Sequence, residues 1–306
     1  MAIRGNTWRK IFHRPVIIML FKMKRTSIIA TWAVFSVMFL TATTPGPAVA
    51  YVLEGPHVLE LSAKAMGTIA ALQANQKLMI YPQTPEAAPT VYDETATYVM
   101  PERFRSDIVS EQIQRTHLVF ADSSITVTDG RMTVGENPFD LYQQLLRSRT
   151  RPRLMRTLNR LGVETAITSL GRLGETVVFV LGARYPDESV TQLAIDKETF
   201  LPIRLLLVDR GTTAADRHLE IFYRNWQKVQ SGWFPFQVDF TINGRLAREI
   251  RVTDLRLNPS IPADMMDLET LKASVALNNI DTPQGQKQEA VDAVQQAVQN
   301  FQKKFE

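Results

Sequence analysis

After residue 50 the chain alternates hydrophobic and polar residues with the period of two that predicts half-buried β-strands. The alternation first covers Thr68–Tyr81, Val91–Val109 and His117–Val134. From residue 175 onward almost every segment is strand-like, and the predicted strands are Thr176–Ala183, Val190–Ile195, Leu201–Asp209, Leu219–Val229, Trp233–Ile242 and Leu246–Leu257. Short turn sequences separate these strands, and Asn-Gly at 243–244 is the strongest hairpin signal among them. The sequence therefore predicts a long antiparallel meander.

The helical period of 3.6 residues marks three segments, Pro56–Met66, Phe139–Arg147 and Pro152–Leu161. Pro152 in the first turn and Gly162 just past the end are typical boundaries of the third helix. One helix thus precedes the strands, and two interrupt them midway. We predict an α+β fold, with one strongly curved antiparallel sheet and helices covering its concave face.

Two predicted strands contain segments that are apolar on both faces, Val177–Leu181 and Leu205–Val208. By contrast, Trp233–Ile242 places apolar residues on one face and polar residues on the other. An antiparallel sheet with apolar residues on both faces needs cover on both sides. Two interpretations follow: an ordinary packed core, which is common, or an apolar recess that a ligand fills in part.

The first 50 residues have the order of a secretory signal. Basic residues precede the uncharged stretch Ile28–Leu40, and the small residues Ala48-Val49-Ala50 follow it. A helix of this length spans about 20 Å, less than a hydrocarbon core of about 30 Å. We expect cleavage near Ala50 and export of the mature chain. An uncleaved anchor is the alternative, and Met23 is a second candidate for the start of translation.

The composition is that of a globular protein, with 45% hydrophobic and 22% charged residues. The formal net charge of +4 comes from residues 1–50, which hold seven basic residues and no acidic one. Residues 51–306 carry 28 basic and 31 acidic residues, so we expect no nucleic-acid partner. The chain has no cysteine, which excludes disulfides, thiolate chemistry, cysteine-ligated zinc and a lipid-modified N-terminal cysteine.

No dinucleotide-binding, phosphate-loop, metalloprotease or nucleophile-elbow motif occurs in the sequence. Beyond the leader the histidines are His57, His117 and His218, which lie far apart without metal-ligand spacing. We therefore predict no catalytic residue, no cofactor and no metal, and a binding protein rather than an enzyme. A hydrolase acting on envelope material is a further hypothesis, with no motif behind it.

An arginine cluster lies around the start of the third predicted helix. Arg149, Arg153, Arg156 and Arg160 follow i, i+4, i+7, i+11 spacing and would form one stripe on a continuous helix, which Pro152 interrupts. Guanidinium groups match phosphate bidentately, so the stripe predicts contact with anionic headgroups or an acidic partner. A solvated helix face is the alternative interpretation.

Residues 273–306 are rich in glutamine and poor in aromatic residues. Apolar residues recur there at spacings of 3 and 4, which predicts an amphipathic helix that either docks on its own domain or engages another chain; they are Val291, Val294, Val298, Phe301 and Phe305. The predicted organisation is a signal peptide over 1–50, one domain over 51–272 and a helical extension over 273–306.

Several short sequence strings follow one another along residues 53–270: Pro101–Arg105, Ile125–Gly130, Asn137–Phe139, Ile195–Pro202, Trp233–Pro235 and Asn258–Pro262. Together, behind a signal peptide, they resemble the periplasmic lipoprotein-carrier family, the LolA/LolB-like outer-membrane lipoprotein-sorting proteins. The resemblance implies a periplasmic protein with a half-open β-barrel wrapped over helices. It also implies an apolar cavity that holds acyl chains.

With that implied cavity, the apolar strands supply a predicted set of lipid-binding residues: Phe104, Phe179, Leu181, Leu205, Leu207, Phe234, Phe236, Val238 and Phe240. Arg105 joins the arginine stripe as a predicted headgroup or partner contact. The expected partners are acyl chains of lipids or lipoproteins and a membrane protein of the cell envelope. The expected state is a monomer.

The sequence departs from the family pattern at Met100, where the carriers have arginine, and at Met132 and Val134, which replace an aromatic pair. We therefore expect the fold and acyl-chain binding, but no particular cargo and no lid latch. The leading hypothesis is a carrier or chaperone that delivers lipids or lipoproteins to the outer membrane. The alternative is a sensor that reads lipid or lipoprotein in the same cavity and contacts a membrane partner through its C-terminal helix.

Overall fold

The computed structural model describes residues 52–82, 84, 87–135, 137–209 and 217–280. The predicted signal peptide over 1–50 and residues 281–306 of the predicted extension lie outside the described residues. Within them, the α-helices are α1 Gly55–Met66, α2 Tyr142–Arg147, α3 Arg151–Arg160 and α4 Leu268–Ile280. Short 3-10 helices cover Pro138–Asp140 and Asp264–Met266.

The strands form one antiparallel sheet in the order β6-β5-β4-β3-β2-β1-β13-β12-β11-β10-β9-β8-β7. Its terminal strands do not pair with each other, so the barrel is half open. The strands are β1 Ala71–Ile80, β2 Thr90–Val99, β3 Arg103–Val109, β4 Gln114–Phe120, β5 Ser123–Thr128, β6 Arg131–Val134, β7 Thr168–Leu173, β8 Thr176–Leu181, β9 Gln192–Asp196, β10 Pro202–Asp209, β11 Arg217–Val229, β12 Gly232–Ile242 and β13 Arg245–Leu257. The predicted α+β class is confirmed.

The strand β7 is absent from the sequence prediction, and Gly171 at its middle explains why. Gly171 adds no apolar side chain to the pattern, yet the fold requires it. A Cβ atom at this position would lie 2.6 Å from the ring of Tyr185, so only glycine lets that ring pack on the strand.

One row of apolar side chains crosses five neighbouring strands on the concave face. Each member is the registered partner of the next in the adjacent strand, and each has no exposed surface; the row is Phe240, Ile221, Leu205, Leu193 and Leu181. We call it the apolar row. Its continuity across β12 to β8 makes this half of the concave face uniformly hydrophobic.

The helices α1, α2 and α3 cover the concave face and are called the helical layer here. They contribute fully buried side chains to the same core as the apolar row, among them Leu59 of α1, Leu145 of α2 and Leu158 of α3. The start of α1 fits closely against the chain after α3, because a Cβ atom on Gly55 would lie 1.9 Å from the carbonyl oxygen of Thr165. Burial of these apolar faces stabilises the helical layer on the sheet.

The outer face of β8 and β9 is also apolar, and the chain itself covers it. Val178, Val180 and Ala194 form a second buried cluster with Ala183, and Val190 packs against them. Ala183 and Val190 belong to the connection between β8 and β9, residues 182–191, which folds back over these strands. The two-sided hydrophobicity of β8 therefore reflects cover by the helical layer on one face and by this connection on the other.

Candidate functional site

The predicted lipid-binding residues lie on the concave face and in one core. Phe179, Leu181, Leu205, Phe234, Val238 and Phe240 are buried in it, and the half-buried Leu207 and Phe236 pack against it. Phe104 lies on β3, on the other half of the sheet, yet it is connected to the set through Tyr98. The ring of Tyr98 lies 4.8 Å from Phe104 and 5.5 Å from Phe234, measured between centroids.

The apolar recess expected on this face is not open in the part of the chain that the structure describes. The helical layer and neighbouring aromatic rings occupy the space: Tyr142 meets Phe240 edge-on at 5.7 Å, and Phe200 stacks on Phe179 at 5.8 Å. Pockets of about 500 Å³ beside Trp226 and about 380 Å³ beside Phe120 are lined by residues outside the predicted lipid-binding set. Acyl-chain binding at the concave face therefore requires the helical layer to move.

The other half of the concave face carries a buried polar group that sequence reasoning missed. Glu94 on β2 is only 2% exposed and accepts hydrogen bonds from Gln76 Nε2, at 2.7 Å, and from the hydroxyl of Ser106. All three occupy inward positions of their strands, since Gln76 faces Glu94 in the β1–β2 register. Their inward place in the alternation is a signal that could have revealed the group.

His117 extends this polar half across β4. It has no exposed surface, its Nδ1 lies 2.8 Å from Thr126 Oγ1, and its Nε2 has no hydrogen-bond partner among the described residues. Burial lowers the pKa of His117 to about 4, and the nearby carboxylate of Asp140 opposes this only in part. At neutral pH the imidazole is therefore uncharged, as suits its dry surroundings.

Asp140 is a second buried carboxylate, held between two arginines. It forms an ion pair with Arg115, and its Oδ1 lies 3.5 Å from Nη1 of Arg248. The guanidinium of Arg248 also lies over the ring of Phe240, 5.2 Å from its centroid. This cluster fastens the 3-10 helix before α2 to the sheet, so it has a structural use.

Arg149, predicted as a headgroup or partner contact, points inward between α2 and α3. Its guanidinium donates to the backbone carbonyls of Met66 at 2.7 Å, Trp233 at 3.0 Å and Gly67 at 3.4 Å, and its Nε donates to Leu146 at 3.1 Å. Burial lowers the pKa of Arg149 to about 10. The continuous stripe does not form, because α3 begins at Arg151 and leaves Arg149 outside it.

Arg105 is likewise engaged within the protein. Its guanidinium pairs with the carboxylate of Asp107 at 2.6 and 2.9 Å and donates to the carbonyl of Met265 at 2.7 Å. It thereby connects β3 to the segment that precedes α4. The three arginines of the stripe that remain, Arg153, Arg156 and Arg160, lie on α3 and face a pocket of about 90 Å³.

Arg147, which lies off the predicted stripe, lines the same pocket, and sequence spacing gave no sign of this. The opposite wall comes from the turns after β2 and β4 and includes Glu102 and Asp122. We call this site the arginine pocket.

Among the described residues, no group of three or more His, Asp or Glu side chains could hold a metal ion. No helix in the same residues combines the length and the apolarity needed to cross a membrane.

No protein-family model and no curated protein matches this sequence. Among solved structures, a domain described as an outer membrane lipoprotein-sorting protein from Vibrio parahaemolyticus has a TM-score of 0.51 at 11% identity, over 71% of this chain and 98% of that one. A LolA superfamily protein from Nitrosomonas europaea has a TM-score of 0.47 at 12% identity, over 71% and 99% of the two chains. A DUF1329 family protein from Desulfovibrio piger has a TM-score of 0.47 at 9% identity, over 72% and 100%. The first likeness confirms the predicted fold.

Proposed function

We propose that this protein is a periplasmic carrier or chaperone that binds the acyl chains of lipids or lipoproteins and delivers them to the outer membrane. The observation that carries the proposal is the apolar row, five registered side chains that pack in one core with the buried apolar side chains of the helical layer. The similarity of fold to the Vibrio parahaemolyticus domain, which is described as a lipoprotein-sorting protein, supports the same role. Acyl chains would lie between the helical layer and the concave face.

Binding in this scheme exchanges one apolar contact for another. When the helical layer moves away, the row from Phe240 to Leu181 loses its cover, and an acyl chain replaces it. Transfer of a methylene group from water contributes about 0.8 kcal/mol, so a 16-carbon chain supplies roughly 10 kcal/mol before the cost of moving the helices. Because the closed state recovers the same kind of contact after release, the exchange is reversible, as delivery requires.

Polar contacts of the helical layer with the sheet set how easily it moves. Arg149 joins α1 to β12 through backbone carbonyls, and the hydroxyl of Tyr223 donates to the carbonyl of Tyr142 at 3.0 Å. These hydrogen bonds join parts of the protein to one another and do not involve a ligand. They stabilise the closed state without selecting which acyl chain binds, which suits a carrier of varied acyl chains.

Native mass spectrometry of protein purified from the periplasm, together with uptake of a fluorescent fatty acid, tests the proposal. We expect lipid adducts and saturable uptake. A Leu207→Gln variant should weaken uptake at least tenfold, because Leu207 packs against the core of the concave face. Val208→Gln is the matched control, since Val208 is the next residue of β10, is also half-buried and faces the other side. Absence of both adducts and uptake, or equal effects of the two variants, would refute acyl-chain binding here.

A further inference from the structure

The arginine pocket brings four guanidinium groups around one small volume. Arg147 comes from α2, while Arg153, Arg156 and Arg160 come from α3. The carboxylates that line it are those of Glu102 and Asp122, so the lining side chains carry a net charge of +2. At about 90 Å³ the pocket has room for a small group rather than for an acyl chain.

Arg147 is held in place before any ligand arrives. It is only 5% exposed, its Nε donates to Gln143 Oε1 at 2.5 Å, and its Nη1 donates to the carbonyl oxygen of Glu102 at 2.8 Å. Both of these acceptors are uncharged, and they hold the guanidinium in one orientation at the pocket. A fixed arginine loses little conformational entropy when it binds an anion.

The arginines of α3 form the outer part of the pocket. Arg153 pairs with Glu102 at 3.0 Å, and Arg160 pairs with Asp122 and donates to Gln144 Oε1 at 2.9 Å. Arg156 is exposed and makes neither a hydrogen bond nor an ion pair with any residue that the structure describes. Exposed ion pairs of this kind contribute little to stability, so an incoming anion can compete for these guanidinium groups.

We infer that the arginine pocket binds a phosphate group, with Arg156 and Arg153 contacting it at the mouth and Arg147 at the base. The net charge of +2 complements a phosphate monoester, and guanidinium groups match its oxygens bidentately. A phosphate group reaches this pocket either on the headgroup of a lipid or as a free phosphate. The inference deepens the proposed function only in its lipid form, in which the pocket holds the headgroup of the bound molecule.

Calorimetric titration of the full mature chain with inorganic phosphate tests binding of the group itself. Arg153→Gln/Arg156→Gln should weaken binding at least tenfold, whereas Arg256→Gln should leave it unchanged. Arg256 is the matched control, because it is an exposed arginine with only a 3.5 Å ion pair to Asp254. Equal urea midpoints of the variants and the parent chain would show that folding is intact.

Flotation with phosphatidylcholine vesicles, with and without about one fifth phosphatidic acid, distinguishes the two sources. Binding to phosphatidic acid vesicles that the double variant loses supports a lipid headgroup, and binding of inorganic phosphate alone supports a free phosphate. If the parent chain binds neither probe, or the double variant binds as well as the parent, the inference is overturned. Fatty acids lack phosphate, so their uptake by the double variant reports on the proposed function separately.

Discussion

The Nη1 atom of Arg149 donates a 2.7 Å hydrogen bond to the backbone carbonyl of Met66, the last residue of α1. The last carbonyls of a helix lack intrahelical partners and carry the negative end of the helix dipole. The guanidinium of Arg149 both donates to an unpaired carbonyl and places a positive charge at the negative end of the dipole. Because the same guanidinium also donates to Trp233 on β12, one side chain joins the helical layer to the sheet.

Replacement of Arg149 by glutamine should therefore loosen the helical layer. The amide cannot reach all of the carbonyls that Arg149 serves, and we expect a loss of about 2 kcal/mol in the free energy of unfolding. In the carrier hypothesis the variant should also take up a fluorescent fatty acid faster. Urea unfolding and stopped-flow fluorescence measure the two effects. Arg156→Gln is the control and should change stability by no more than about 0.5 kcal/mol; an Arg149 variant as stable as the parent would contradict this role.

The other end of α1 offers an independent test at Gly55. A Cβ atom there would lie 1.9 Å from the backbone carbonyl oxygen of Thr165, so Gly55→Ala must push α1 away from the chain after α3. We expect a loss of about 3 kcal/mol in the free energy of unfolding, as for an overpacked site. Gly244→Ala is the control: Gly244 has a φ of 77° but open space around it, so backbone strain alone should cost about 1 kcal/mol. Equal losses in the two variants, measured by urea unfolding, would show that the contact at Gly55 is unimportant.

Local chemistry explains which elements the sequence could predict. The turn between β12 and β13 was predictable because Asn-Gly favours a tight hairpin turn, and Asn243 and Gly244 both adopt the left-handed backbone conformations that such a turn needs, with φ values of 48° and 77°. The helix α3 was predicted because Pro152 and Gly162 mark its boundaries. In each case the deciding interactions lie within a few residues of one another, so they leave a local pattern.

Contacts between distant parts of the chain left no such pattern. Arg149 lies more than eighty residues from both Met66 and Trp233, and the spacing that assigned it to an arginine stripe contained no trace of either contact. The sequence pattern likewise showed that the strand is apolar on both faces, but it could not show what covers Val178 and Val180. The connection over 182–191 covers them, and its position depends on how the chain folds back. The site was thus predictable in its residue types and only partly in their partners.

The buried imidazole of His117 predicts a pH dependence of stability. Its pKa is about 4 in the folded protein and about 6.5 in an unfolded chain, so the unfolded state takes up a proton first as the pH falls. The contribution is fully present above pH 6.5 and is lost as the pH falls towards 4, by about 3 kcal/mol at most. Urea unfolding between pH 7 and pH 4.5 should therefore show a smaller decline for His117→Gln than for the parent chain. Parallel declines would contradict it, and an NMR titration of the ring gives its pKa directly.

The chain beyond Ile280 separates the carrier from the sensor. Both hypotheses use the same concave face, but only the sensor needs residues 281–306 to reach a membrane partner. A chain that ends at Ile280 keeps α4 and the helical layer that covers the apolar row. As a carrier it should bind a fluorescent fatty acid within about twofold of the parent affinity, a change of roughly 0.4 kcal/mol, and should transfer it to acceptor vesicles at the parent rate.

As a sensor the shortened chain should keep binding but lose co-purification of an envelope membrane protein after crosslinking in cells. A variant with Val294→Asp and Val298→Asp is the matched control, because it keeps the full length while it breaks the apolar face of the amphipathic helix predicted there. If both changes abolish fatty-acid binding, the segment belongs to the binding site itself, and the predicted division between domain and extension is wrong. Unchanged binding and transfer in both would favour the carrier, because delivery would then depend on the sheet and the helical layer alone.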